Sequence, residues 1–294
     1  MPTLRELPRD AGFVEVADRV WVARHAWFDV NVSVVGGSRG LLVVDTHASD
    51  EAARTVLDAL RRQVPGDVVA VVNTHEHFDH AYGNGVFRAA YPGVPLIAHE
   101  AAAARLAAVA ADPPPPEPDD DPRVAAVYAT DVVPPDTTFA SVRVVDLGDR
   151  AVELVHPGRG HTGGDVVARV DDADVLFAGD LVEESAVRGG VPGFGADCFP
   201  MEWPATLDLV IGLLTPGSLV VPGHGLPVDK EFVDEQRTAI GVVAETIRDL
   251  ASRGVPARDA LAATEWPYPA EELVNAVRRG YEHLPRTSKS LPLI

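Results

Sequence analysis

One cysteine in 294 residues removes two structural solutions at once. Cys198 has no partner for an internal disulfide, and no thiolate cage for a metal can be assembled around it. It reads as a small buried hydrophobe, and any metal site must be built from His, Asp and Glu. Basic residues are also scarce: 25 Lys and Arg against 44 Asp and Glu give a formal net charge of −19. A surface of that sign repels a phosphate backbone, which excludes nucleic acid as a partner. No apolar run has the length that a membrane helix needs. The start, MPTLRELPRDAGF, has neither the basic tip nor the apolar stretch of a signal peptide. The expectation is a cytoplasmic protein acting on a small molecule, with no membrane or nucleic-acid partner.

What is present suits a folded α/β chain. A hydrophobic content of 46% with 23% charged residues is ordinary for a globular protein. The length suits a single elaborated domain over 1–294. Short β-branched runs from 13 to 45 alternate with turn residues and predict an antiparallel meander. Ser49 is positioned to cap a helix over 50–63, whose Ala52, Ala53, Val56, Leu57 and Leu60 share one face. DVVAVVNT (67–74) is the continuous apolar run of a strand buried on both faces. A short helix near 85–90, a strand at 95–98 and an alanine-rich helix over 100–111 follow. DPPPPEPDDDP (112–122) cannot propagate helix or ladder and predicts a surface excursion. Strands resume at 141–146 and 151–156, then in VVARV, VLFAGD and SLVVPGHG. From about 229 the pattern is helical, including 232–253 and 271–282. Sheets between helical layers are the expected architecture.

The chemistry is concentrated where strands end. NTHEHFDH (73–80) ends a buried strand. His75 and His77, two apart, project to one side of extended backbone, whereas Asp79 and His80 lie on the turn beyond. Two such pairs address two adjacent points, and each point needs further donors, since zinc takes about four. Candidates are His161 in GRGHTGGD, Asp180 in FAGD and His224 in PGHG, each beside glycines that permit a tight exit from a strand. A solvated histidine-rich loop would account for 75–80 alone but not for the other three motifs. A zincin arrangement fails because position 79 is Asp79 rather than histidine.

The motifs T-H-E-H-F-D-H, G-H-T, G-D and P-G-H-G, in this order and with Asp45 ending LLVVD, resemble those of the metallo-β-lactamase fold superfamily of metallohydrolases over roughly 13–225. The resemblance implies a four-layer αβ/βα sandwich with a dinuclear metal cleft at one edge. It implies that His75, His77 and His161 hold one ion, that Asp79, His80 and His224 hold the second, and that Asp180 bridges them. Asp45 would be a structural group beneath the metals. The implied cofactors are two divalent ions, zinc first, with iron or manganese as alternatives for an all-nitrogen and oxygen site. The implied nucleophile is a hydroxide held between them, anchored by Asp79, which also relays a proton. Di-iron members that reduce oxygen typically carry Glu where this chain has His77, which favours hydrolysis. Asp180, where true lactamases can use cysteine, matches the glyoxalase II-like and lactonase-like branches. Two other readings stand beside the hydrolase: a mononuclear iron enzyme resembling the persulfide dioxygenases, and a non-catalytic metal-binding protein.

For substrate contacts, the turn HAWFDVN offers Trp27 and Phe28, and the glycine-rich segment after Asp180 offers Phe194, Phe199 and Trp203. The competing role for all five is to seal the core. His47 is placed either near the cleft or as a capping or core histidine, and His156 as structural. Arg278, Arg279, Arg286 and Lys289 are available to hold substrate carboxylates but fall in no recognisable motif. A small neutral or apolar ester, thioester or lactone is the expected substrate.

Overall fold

The computed structural model describes residues 7–116, 119 and 121–285. Arg286 and Lys289, together with parts of the N-terminal stretch and of the proline-rich excursion, lie outside the described residues. The alternating runs near the start form β1 (Phe13–Ala17), β2 (Val20–Arg24), β3 (Asn31–Gly37) and β4 (Gly40–Val44), each antiparallel to the next. Helix α1 (Asp50–Gln63) begins where the Ser49 side chain accepts from the Ala52 amide. Asp50 and Glu51 in its first turn and Arg61 and Arg62 in its last complement the helix dipole. Strand β5 (Val68–Val72) then lies parallel to β4.

Two small helices, α2 (Phe78–Ala81) and α3 (Asn84–Ala90), lead to β6 (Leu96–His99), α4 (Glu100–Ala111), α5 (Pro122–Tyr128) and β7 (Thr137–Phe139). Strands β1 to β7 form one sheet in sequence order. The second sheet contains β8 (Val142–Asp146), β9 (Ala151–Val155), β10 (Val167–Val170), β11 (Val175–Glu183) and β12 (Leu219–His224), in the order β12-β11-β10-β9-β8. Helices α6 (Trp203–Gly212), α7 (Lys230–Ser252), α8 (Ala257–Ala260) and α9 (Val274–His283) follow β11 and β12. No helix among the described residues is long and apolar enough to cross a membrane.

Side-chain alternation sorts the apolar residues into three layers of core. Val22, Val35, Leu42 and Val72 of the first sheet meet Val152, Leu154, Ala168 and Phe177 of the second. The opposite face of the first sheet, with Val34, Val43 and Val71, packs on Val56, Leu57 and Leu60 of α1 and Phe87 of α3. The opposite face of the second, with Val167, Leu176 and Ala178, packs on α6, α7 and α9 through Leu207, Val210, Ile240 and Val277. The result is a helix, sheet, sheet, helix sandwich, built because each sheet has two apolar faces to cover.

Two helices lie outside those the sequence pattern marks, and each carries a proline in its first turn. Asp121 caps α5 and Pro122 occupies its first turn; Pro204 occupies the first turn of α6. Proline breaks a helix interior but is tolerated in the first turn, whose N–H groups have no intrahelical acceptor. The excursion therefore gives way to helix at Pro122. Leu60 is fully buried in the α1 layer, away from the histidines. Leu60→Ala should cost about 2–5 kcal/mol of unfolding free energy, measured by urea titration, with the histidine cluster undisturbed.

Candidate metal centre

Each chemically active side chain is delivered by the end of a strand or by a tight turn. Beyond β5 the expected extended run is replaced by a bend over 74–76, which carries His75 and leads to His77, and the single turn of α2 brings Asp79 and His80 round to an adjacent point. The loop after β9 presents His161. Its shape is held by the buried Asp165 carboxylate, which accepts from the Gly160 amide, the Thr162 amide and the Thr162 hydroxyl. Asp180 lies within β11, and His224 ends its parallel neighbour β12. Glycine is required where these strands cross the site. Gly179 has φ +52°, and a Cβ on Gly223 would sit 1.9 Å from Asp180 Oδ1.

The structure brings together all seven residues read as ligands. His75, His77 and His161 form one group, and Asp79, His80 and His224 another, with the donor atoms of each group within 4.8 Å of one another. Asp180 lies between the two. Its Oδ2 is 3.9 Å from His75 Nε2, 3.4 Å from His161 Nε2 and 3.1 Å from His224 Nε2, and its Oδ1 is 3.1 Å from His80 Nε2. Asp79 is buried beside them, with Oδ2 3.4 Å from His224 Nε2.

The outward nitrogens of four rings decide their tautomers. His161 Nδ1 donates to the Gly193 carbonyl at 2.7 Å, and His224 Nδ1 to the Phe28 carbonyl at 2.7 Å. His80 Nδ1 donates to Asp45 Oδ2 at 2.8 Å, and His77 Nε2 to Asp197 Oδ2 at 3.1 Å. With those protons outside, the inward nitrogens carry lone pairs. Yet His161 Nε2 and His77 Nδ1 face each other at 2.8 Å, and His80 Nε2 and His224 Nε2 at 3.2 Å. His75 Nε2 is buried with no hydrogen-bond partner. Lone pairs opposed at these distances around a buried carboxylate are relieved by a cation between them, either a proton, which the acidic neighbours of His80 and His224 favour, or a metal ion. Imidazoles held by outer carboxylates and carbonyls are how proteins orient metal ligands. The donor set therefore fits two metal ions.

Charge at the centre follows the same logic. Burial pushes the Asp180 carboxyl up, but His224, His80, His161 and His75 outweigh it and hold it well below the usual carboxylate range. Burial lowers His80, yet Asp180, Asp45 and Asp79 together raise it well above an ordinary histidine. His75, buried and next to His80, is held well below. For Asp197, burial is overcome by His77, leaving it at about 2.

The family profile described as the metallo-beta-lactamase superfamily matches residues 25–224. The chain belongs to the metallo-beta-lactamase superfamily. It is 27% identical to a type 2 metallo-beta-lactamase of Bacillus cereus over 195 residues, 66% of each chain. It is 27% identical to the human acyl-coenzyme A thioesterase MBLAC2 over 230 residues, 72% of this chain and 75% of that enzyme. The solved metallo-beta-lactamase of Pontibacter korlensis shares the fold, with a TM-score of 0.64 at 22% identity, covering 78% of this chain and 98% of that one.

Around the superfamily's histidine cluster lies a cavity of about 810 Å³, lined by His77, Asp79, His161 and Asp180, and by Val191 and Phe194 from the segment after β11. The aromatic residues read from sequence divide. Phe194 lines this cavity, and Phe28 lines a smaller one beside it. Trp203 is fully buried with Nε1 donating to the Leu181 carbonyl, so it seals the core behind His161. Phe199 stacks on His283 between Arg159 and Arg279, and Trp27 lies under Arg123; neither lines either of these two cavities. His47 is buried among His25 and Trp27, and His156 stacks on His99. Cys198 is buried, its thiol pushed up to about 12. Arg278 and Arg279 bond the Ala196 and Cys198 carbonyls and Glu282.

Sequence reasoning missed Asp165, Asp197 and Glu183. Asp165 carried a signal, a carboxylate four residues after His161 in a glycine turn. Asp197 and the buried Glu183, which groups with Asp180 and His224, did not. Asp45 takes bonds from the Thr74 amide, the Thr74 hydroxyl and His80, at φ +64°. Asparagine tolerates that backbone, but its NH₂ would confront a donor. Asp45→Asn should fold normally by circular dichroism and lose about 10–100-fold in metal affinity, measured by competition with a chromophoric chelator.

Proposed function

We propose that the chain is a zinc-dependent hydrolase with two metal ions, acting on a small neutral ester or thioester, with lactones in the same class. The observation that carries this reading is the opposed set of inward imidazole nitrogens around Asp180, opening on one side into a cavity of about 810 Å³. His75, His77 and His161 would hold one ion, Asp79, His80 and His224 the other, and Asp180 both. Nitrogen and carboxylate donors suit zinc. When bound, the ions lower the pKa of a coordinated water from 15.7 toward about 7 and polarise the scissile carbonyl.

The chain's own residues supply the rest. Asp79 is buried, faces the cavity and stands beside His224, so its carboxylate is placed to accept the proton of the attacking water and return it to the departing oxygen or sulfur. Val191, Phe194 and the backbone of 192–195 wall the acyl carbon from bulk water. No Lys or Arg is among the described residues lining this cavity, and Glu271 and Glu272 stand at its edge. The carboxylates of Glu271 and Glu272 disfavour a polyanionic leaving group. The likeness to an acyl-coenzyme A thioesterase supports the thioester class, with the acyl half as the shared element.

The mononuclear iron reading is disfavoured because Asp79, His80 and His224 close a complete second donor group. The non-catalytic reading is disfavoured because the cavity reaches both donor groups. Chelation of the purified protein should abolish hydrolysis of short acyl thioesters, and zinc should restore it. Asp79→Asn, which keeps an oxygen donor, should lower kcat by about 10²–10⁴. Hydrolysis confined to β-lactams, or unchanged in Asp79→Asn, would overturn the assignment.

A further inference from the structure

Beside the metal cavity lies a second chamber of about 200 Å³ with a different character. Its walls are Phe28, Phe78 and Tyr82, then Val109 of α4, Pro113 and Pro114, and Val124, Val127 and Tyr128 of α5, with Thr130 and Val132 completing it. None of these residues is charged. The metal cavity, in contrast, is lined by imidazoles and carboxylates. Phe78 lines both chambers and sits in sequence between His77 and Asp79, one residue from each metal group.

The wall next to the metal centre is built to hold its position. Phe28 has φ +60°, and its carbonyl accepts from His224 Nδ1 at 2.7 Å, which ties the aromatic turn to a metal-facing ring. The neighbouring Asp29 is fully buried and accepts from Arg24, Arg9 and the Ser185 hydroxyl. Burial pushes the Asp29 carboxyl up, but those partners hold it at about 2. The Phe28 ring meets Phe78 edge-on at 5.2 Å between centroids, and Phe78 meets Tyr82 at 6.1 Å. The far wall rests on the start of the excursion after α4 and on the short helix α5 that follows it. Asp121 caps that helix, and Thr130 links it to the start of α1 by accepting from the Asp50 amide. An uncharged chamber of this size, one aromatic ring away from the metal groups, has no structural task in the three core layers.

We propose that this chamber is the acyl-chain subsite of the hydrolase: the carbonyl of the substrate lies at the metal groups, and its aliphatic tail passes Phe78 into the space between Tyr82, Val109, Val124 and Val127. The proposal rests on the hydrolase reading above and names the acyl half of its substrate. At roughly 30 Å³ per methylene-sized group, about 200 Å³ holds about six or seven carbons. Acyl groups of medium length fill it; acetyl does not reach it; longer chains gain nothing further. Each methylene buried should contribute about fourfold in binding.

The test uses the full chain, zinc-loaded, with acyl thioesters of N-acetylcysteamine from two to twelve carbons. The expected profile is a rise in kcat/KM of about two- to fourfold per methylene, levelling near eight carbons. Val124→Phe, and independently Val109→Phe should the first fail to fold, fills the chamber and should lower the octanoyl-to-acetyl ratio of kcat/KM at least tenfold, with zinc content unchanged. Titration calorimetry with 1-hexanol provides a readout independent of catalysis. The alcohol should bind the metal-free and the zinc-loaded protein alike, and at least tenfold more weakly to either variant. A flat chain-length profile, or hexanol binding that neither variant weakens, overturns the subsite while leaving the hydrolase intact. Hexanol binding that depends on Val124, in a protein hydrolysing none of the thioesters, the matching esters or lactones, retains the apolar chamber and overturns the hydrolase instead.

Discussion

A buried carboxylate ringed by imidazole nitrogens that all point inward is the constraint on which the site depends. Asp180 lies within 3.9 Å of an inward nitrogen on His75, His80, His161 and His224. Four of the five rings spend their other nitrogen on an outer acceptor, Asp45, Asp197 or a backbone carbonyl. His75 Nδ1 lies 3.1 Å from the Thr74 hydroxyl, so all five rings are held by an outer partner. Burying charge and lone pairs in this way is costly unless cations are shared among them. The protein thus orients the donor atoms in advance, as a metal site requires.

The scaffold is arranged around that demand. Strands β11 and β12 run parallel with a register shift at Gly179 and Pro222, so Asp180 and His224 arrive on the same point from neighbouring strands. Gly223 lets the two backbones approach, because any side chain there would collide with Asp180. From the other sheet, Asp45 ties Thr74 to His80 across three hydrogen bonds, locking the end of β5 to the turn of α2. The four-layer packing does no chemistry itself. It holds strand ends from the two sheets together so that seven side chains from five segments meet.

Much of this was legible in the sequence because metal ligands need particular residue types at strand ends, and those leave a local mark. His75, His77, Asp79 and His80 sit in one motif, while His161, Asp180 and His224 each follow an apolar run and flank glycine. Helix α1 begins at its expected Ser49 cap, and α4 spans the expected alanine-rich run. Helix α5 was obscured by a proline run that reads as a breaker, although Pro122 sits in the helix's first turn; α6 carries Pro204 in the same position. The aromatic residues were harder for a different reason. Trp203 and Phe199 follow a glycine-rich segment, which signals a loop but not a direction. The start of α6 turns Trp203 into the core, and Arg159, Arg279 and His283 enclose Phe199. Phe78, which lines both chambers, was hidden inside the metal motif itself. Asp197 lies 120 positions from His77 and could be found only once the chain was folded.

The central claim is that two complete donor groups share Asp180, and elemental analysis of the purified protein after zinc reconstitution tests it most directly. The account predicts two zinc equivalents per chain, falling toward one in Asp180→Ala while the fold persists by circular dichroism. A single iron equivalent in the wild type, with oxygen consumed in the presence of a persulfide, would contradict it.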